Sequence, residues 1–167
     1  MPAASFAKSL PVDHVLLDLD VSSKKRLFEQ IGLLFENENK IARATVFDAL
    51  FAREKLGSTG LGHGVAIPHG RIKNLRETVA VFIRTKEGVP FESPDGEAVR
   101  LVFAMLVPEH ATEQHLNLLS ELAQVFSDEN LRDALLAERD NVRAHDMLIY
   151  GSTSGSTNAA AQRSAAV

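Results

Sequence analysis

The segment VRLVFAMLV, residues 99–107, constrains the fold more than any other part of the chain. Arg100 is its single polar residue, and the run from Leu101 to Val107 leaves no alternation for a solvent-facing side. A strand with this pattern is covered on both faces. It is also far shorter than the roughly 20 residues that cross a bilayer as a helix. Covering layers are legible on either side of it. Ser22 or Ser23 is placed to cap a helix running to about Asn37, in which Leu27, Ile31, Leu34 and Phe35 recur at helical spacing. A second helix, about Ala42–Leu56, turns Val46, Ala49 and Leu50 inward, with Gly57 placed to stop it in a left-handed cap. After Pro108 the helical pattern returns over about Thr112–Phe126. Asp128 then caps a helix to about Glu138, and Asp140 caps one to about Tyr150, stopped by Gly151.

Between these flanks, Thr78–Thr85 reads as a strand and Val65–Ile67 as a short one, closed by Pro68. Lys86–Glu97, with two Gly and two Pro, reads as a turn-rich connection with a short edge strand around Phe91. The expected fold is therefore α/β, a single-domain sandwich with a mixed β-sheet flanked by α-helices. Its expected limits are residues 16–151, with an N-terminal lead at 1–15. Residues 152–167 hold Ser, Thr, Ala and Gly without periodicity and read as a disordered tail.

Composition excludes several functions. The net charge is −4 and no basic stripe with interleaved aromatics occurs, so a nucleic-acid surface is not expected. The absence of cysteine removes disulfides, thiolate nucleophiles and sulfur-ligated metals, and allows a reducing compartment. The opening MPAASFAKSLP lacks an apolar stretch long enough for a secretory signal. The expectation is a soluble, cytoplasmic chain with no membrane insertion.

The second unusual stretch is GSTGLGHGVAIPHGR, residues 57–71, which carries five glycines, two histidines and one proline. It is no P-loop, because it lacks a G-K-[ST] ending. Nor is it a dinucleotide fingerprint, because its G-x-G follows a helix instead of opening one. A metal reading is weak as well. His63 and His69 would lie roughly 20 Å apart on an extended chain, and His110 and His115 lack the i, i+4 spacing of a helical ligand pair. No metal and no cofactor are expected.

His69 has the strongest case for chemistry. It ends a short strand, where α/β proteins place reactive groups, with Pro68 before it and Gly70 after it. The plainer alternative is a partly exposed loop histidine. His115 falls in the first turn of its helix on the inward face with Leu119 and Leu122. It is either a boundary residue of the core or a second imidazole at a helix N-terminus, where anions are favoured. Arg53, near the end of the second helix, either leans over the glycines as a phosphoryl-binding fork or simply complements the helix C-terminus. The hydroxyls of Ser58 and Thr59 suit phosphoryl oxygens in the same way, and Gly70 lets backbone amides approach.

Taken in order, Gly57-Ser58-Thr59-Gly60-x-Gly62-His63-Gly64-x-Ala66-Ile67-Pro68-His69-Gly70 resembles the signature of the mannitol/fructose-type IIA domains of the bacterial phosphoenolpyruvate phosphotransferase system. Within them it is most similar to the nitrogen-regulatory branch. Ala52-Arg53-Glu54 upstream, and Phe103–Pro108 followed by His115-Leu116-x-Leu118-Leu119-Ser120 downstream, extend the resemblance. It implies that His69 accepts a phosphoryl group, that His115 lines the site, and that Arg53 stands near the phosphoryl group. It also implies an HPr-like phosphocarrier protein as donor. The partners it implies are regulated proteins, a transporter or a sensor kinase, in potassium- or nitrogen-linked signalling. The alternative is a sugar-specific fructose or mannitol IIA subunit that passes the group to a IIB domain. A shallow, largely apolar docking surface is expected around His69, with Leu61 and Val65 on its rim.

Overall fold

The structure is a computed structural model that describes residues 3–151; the expected tail, 152–167, lies outside the described residues. Two 3-10 turns, Ala7–Ser9 and Val12–His14, lead into β1 (Val15–Leu19). Helices α1 (Lys24–Asn39) and α2 (Arg43–Glu54) follow, then short strands β2 (Gly60–Gly62), β3 (Val65–Ala66) and β4 (His69–Ile72). The long strands β5 (Val79–Val89) and β6 (Val99–Pro108) precede α3 (Thr112–Val125), α4 (Glu129–Ala137) and α5 (Asn141–Tyr150).

The sheet is mixed, in the order β1-β5-β6-β3-β2, with β4 also pairing β6. Strand β6 is central, antiparallel to β5 and parallel to β3 and β4. Its apolar run divides between two cores by the two-residue period of a strand. Leu101, Phe103, Met105 and Val107 meet Leu122, Phe126, Leu135 and Leu148 of α3–α5. Val102, Ala104 and Leu106 meet Phe28, Ile31, Val46 and Leu50 of α1 and α2. The α/β sandwich with a mixed sheet is thus present, and β6 is covered on both faces.

Local chemistry sets the helix limits. Ser23 accepts a hydrogen bond from Arg26 N at 3.1 Å, Asp128 from Asn130 N at 2.9 Å, and Asp140 from Arg143 N at 2.9 Å. These caps satisfy first-turn N–H groups that have no partner within the helix. Gly57 does not supply the left-handed cap expected of it. Lys55 ends α2 in right-handed geometry and Gly57 lies beyond at φ 152°.

Three further differences have physical causes. Strand β1 carries no strong sequence signal: it is a five-residue edge strand, interrupted by Asp18 at φ 60°, and pairs in parallel with the distant β5. Strand β5 continues to Val89 where a turn was expected, and Phe91 is buried outside any strand. Gly88 there marks close packing, since a Cβ on it would lie 2.6 Å from Ala98 Cβ. The lead is also part of the packed unit, because Phe6 and Leu10 are fully buried in the α3–α5 core and Ala4 N donates to Ile149 O at 2.7 Å.

One irregularity positions the site. Strands β3 and β4 run along β6 in a single register, Ala66 opposite Val102 and His69 opposite Met105. Ile67-Pro68 interrupts them. Pro68 has no N–H to give, and its carbonyl accepts from Met105 N at 3.0 Å. The Ile67 N–H turns away to Thr59 O at 3.0 Å. The Ile67 carbonyl is thereby released from the ladder beside the residue that opens β4.

Candidate functional site

His69 is buried, only 5 % exposed, and its Nδ1 lies 2.8 Å from the Ile67 carbonyl. A carbonyl can only accept, so Nδ1 carries the proton and the lone pair sits on Nε2. Nε2 has no hydrogen-bond partner among the described residues and, unlike His115 Nδ1, is not sealed from solvent. Burial pushes the imidazole down to about 4, with the neighbouring His115 and Arg53 adding to the effect and the Ile67 bond and Glu54 opposing it. At neutral pH the ring is uncharged and its Nε2 carries an unshared lone pair.

His115, from the first turn of α3, brings its ring to 4.8 Å from that of His69, inclined by 62°. It is 7 % exposed and also held neutral, by burial first and then by the positive charges of Arg71 and Arg53. Its Nδ1 is buried without a partner. A cleft of about 380 Å³ opens over the two imidazoles, lined further by Arg53, Gly70, Arg71, Ala49, Ala52 and Leu56. Arg53 Nη1 donates to Gly57 O at 2.8 Å, which leaves the other guanidinium N–H groups without a protein partner among the described residues.

The structure therefore brings His69, His115, Arg53 and Gly70 together. It does not bring Ser58 and Thr59 to the cleft. The Ser58 hydroxyl donates to Phe91 O and accepts from Gly60 N, while the Thr59 hydroxyl donates to Glu54 Oε1 at 2.7 Å. Both hydroxyls are used up in fastening the loop. Gly70 also acts differently from the expectation. A Cβ there would lie 2.8 Å from Ala49 Cβ and 2.9 Å from Ala49 C, so its bareness lets α2, and Arg53 with it, approach β4.

Val65 is a core residue instead of a rim residue, being inward on β3. Leu61 is half-exposed on the β2–β3 hairpin and does not line the cleft. The exposed apolar side chain on the cleft wall is Leu56, 84 % exposed; Leu116, 60 % exposed, follows His115 in α3 but does not line the cleft. Sequence reasoning also missed two charged groups. Arg71 joins the lining because residues two apart on a strand share a face. Glu54 lies behind Arg53, accepting from Thr59 N and Lys24 Nζ, each at 3.0 Å. His63 is at the hairpin tip in left-handed geometry, its N–H held by Asp95 at 2.8 Å. Among the described residues no three His, Asp or Glu side chains gather to hold a metal, and no helix is long and apolar enough to cross a membrane.

The protonation of His69 is open to direct measurement. Long-range nitrogen–proton NMR is expected to show Nδ1 protonated and Nε2 bare at pH 7, with a titration midpoint well below 5.5. The unfolded chain takes up this proton near 6.5 and the folded chain only near 4. Between those values the unfolded state binds more protons, so stability falls as pH drops from about 6.5 to about 4 and is flat above. A midpoint at or above 6.5 contradicts the buried neutral ring.

The site is a pair of uncharged imidazoles with two arginines in a cleft at the rim of a mixed α/β sandwich. The chain belongs to the type 2 IIA family of the phosphotransferase system: residues 8–149 match the family described as "Phosphoenolpyruvate-dependent sugar phosphotransferase system, EIIA 2". It is 42 % identical over 121 residues to a nitrogen regulatory protein of Pseudomonas aeruginosa, a match covering 72 % of this chain and 79 % of that one. The crystal structure of the nitrogen regulatory protein IIA-Ntr from Neisseria meningitidis superimposes with a TM-score of 0.83 at 50 % identity, over 87 % of this chain and 99 % of that one. The mannitol IIA of Escherichia coli shares the fold, with a TM-score of 0.67 at 24 % identity over 81 % of this chain and 96 % of that one. The protein is thus a phosphotransferase-system component whose relatives include nitrogen regulatory proteins.

Proposed function

We propose that the protein is a phosphohistidine carrier in which His69 Nε2 accepts a phosphoryl group from the phosphohistidine of an HPr-like donor. One observation carries this reading: the Ile67 carbonyl fixes the proton on Nδ1, so the neutral ring presents its lone pair to a cleft shared with His115 and Arg53. In the transfer, the Nε2–P bond forms as the bond from phosphorus to the donor's imidazole nitrogen breaks. That electron pair returns to the donor ring, and the proton stays on Nδ1, donated to Ile67 O throughout. His115 and Arg53 have N–H groups to place on the phosphoryl oxygens as charge shifts between them. The guanidinium groups lining the cleft, Arg53 and Arg71, each spend an N–H on a backbone carbonyl, Gly57 O and Glu109 O, so the phosphoryl group meets no closed cationic cage and can leave again.

The nitrogen regulatory relatives support a signalling output, in which the phosphorylation state of His69 decides which protein targets bind in potassium- or nitrogen-linked control. Leu56, on the cleft wall, supplies apolar surface for docking beside the reacting nitrogen. The test is incubation with a phosphorylated HPr-like carrier, followed by mass-spectrometric mapping of acid-labile phosphate under basic conditions. The expected product carries one phosphate, on His69 Nε2. Phosphate on another residue, or none, removes the reading. Discharge to an added sugar-specific IIB protein moves it to the sugar-specific alternative.

A further inference from the structure

Strand β4 points alternate residues to opposite sides. Gly70 and Ile72 face α2 and its core, so His69 and Arg71 face α3. The register with β6 sets Arg71 opposite Val107 and Ile72 opposite Pro108, at the point where the chain leaves the sheet to start α3. Arg71 Nη1 crosses to this turn and donates to Glu109 O at 3.2 Å, with Thr112 Oγ1 at 3.5 Å.

That turn has little else to hold it. The residue before α3 is Ala111, which offers no capping side chain, whereas α1, α4 and α5 begin at Ser23, Asp128 and Asp140. Among the described residues, no other side chain from outside residues 109–112 makes a hydrogen bond to this turn. The first turn of α3 buries one side chain, and it is His115. An uncapped helix start frays, since its first N–H groups lack partners. Fraying here displaces the imidazole that faces His69.

We propose that Arg71 is a positioning residue of the phosphoryl site, strapping the uncapped start of α3 to the strand that carries His69 and so setting the spacing of the two imidazoles. Its Nη1 supplies the strap and its charge sits beside His115. The groups facing that ring are Arg71 and His69 from β4 and Arg53 from α2. The proposal rests on the carrier reading for its kinetic readout only.

The test compares Arg71→Gln and Arg71→Lys in the full-length chain. Three quantities are followed: exchange of the His115 amide, which bonds to Ala111 O at 2.9 Å, the His115 titration midpoint by NMR, and the rate of phosphoryl acceptance at His69. Both side chains are shorter than arginine and lose the Nη1 that reaches Glu109 O, so both variants are expected to exchange the His115 amide several-fold faster and to accept phosphate about tenfold more slowly. Glutamine alone removes the charge, so only it raises the His115 midpoint; lysine keeps that midpoint near the wild-type position. An unchanged His115 amide exchange rate in Arg71→Gln overturns the proposal, whether or not the midpoint moves. A wild-type protein that accepts no phosphate sinks the carrier reading, while exchange and titration still judge the strap.

Discussion

His69→Asn is expected to abolish phosphoryl acceptance, lowering the initial rate by at least roughly 10³-fold, while leaving the fold intact. Asparagine is the informative replacement because its amide NH₂ lies close to the position of Nδ1. It can keep the hydrogen bond to Ile67 O, and it carries no nucleophile where Nε2 stood. Stability is therefore expected within about 1 kcal/mol of wild type by urea unfolding, since a buried donor and acceptor stay paired. His115→Ala serves as the contrast. It removes an oxyanion partner and keeps the nucleophile, so acceptance is expected to fall about 10²-fold with all product still at His69. Labelling of His69→Asn at the wild-type rate refutes the assignment of the acceptor.

The largest stability effect is expected from Glu54→Ala. Glu54 is a buried carboxylate that binds three donors: Thr59 N at 3.0 Å, Thr59 Oγ1 at 2.7 Å and Lys24 Nζ at 3.0 Å. Lys24 is itself mostly buried, lying over the Phe91 ring at 4.8 Å. Removing the carboxylate orphans a buried backbone N–H and leaves an ammonium group without its counter-ion. The expected loss is about 2–4 kcal/mol, between one orphaned donor and a broken buried ion pair. Glu54→Gln keeps an acceptor for Thr59 N and is expected to lose less than half as much. The consequence reaches the site, because Thr59 O holds Ile67 N and the Ile67 carbonyl holds the His69 ring. A loss below about 1 kcal/mol for the alanine variant contradicts this account of the loop.

Sequence reasoning found what local patterns carry. The two-faced apolar run at 101–107 required helices on both sides, and both layers are there. Ser23, Asp128 and Asp140 were readable as caps because a cap and its amide lie within three residues of each other. Pro68 marked a break in the extended chain, but His69, expected to end a short strand, opens β4 instead, because β3 stops at Ala66 and the chain resumes its pairing with β6 beyond the proline. Signals spread over distant segments were not readable. Strand β1 exists through its pairing with β5, and the length of β5 follows from the return of Val99 opposite Val89. The hydroxyls of Ser58 and Thr59 had the right chemistry for an anion, but folding placed Phe91 O and Glu54 nearer to them.

By itself, then, the sequence determined the layer architecture, the helix starts and the break in the chain at Pro68. Each depends on periodicity, on hydrogen bonds a few residues long or on a proline's missing N–H, which the order of side chains along the chain specifies directly. Only the tertiary structure decided the protonation and company of His69. The Ile67 carbonyl became free because β3 and β4 share β6 across a proline, and burial then made the ring neutral. His115, Arg53 and Arg71 arrive from different elements, and their fields act through space, so their convergence exists only after the sheet and helices have packed.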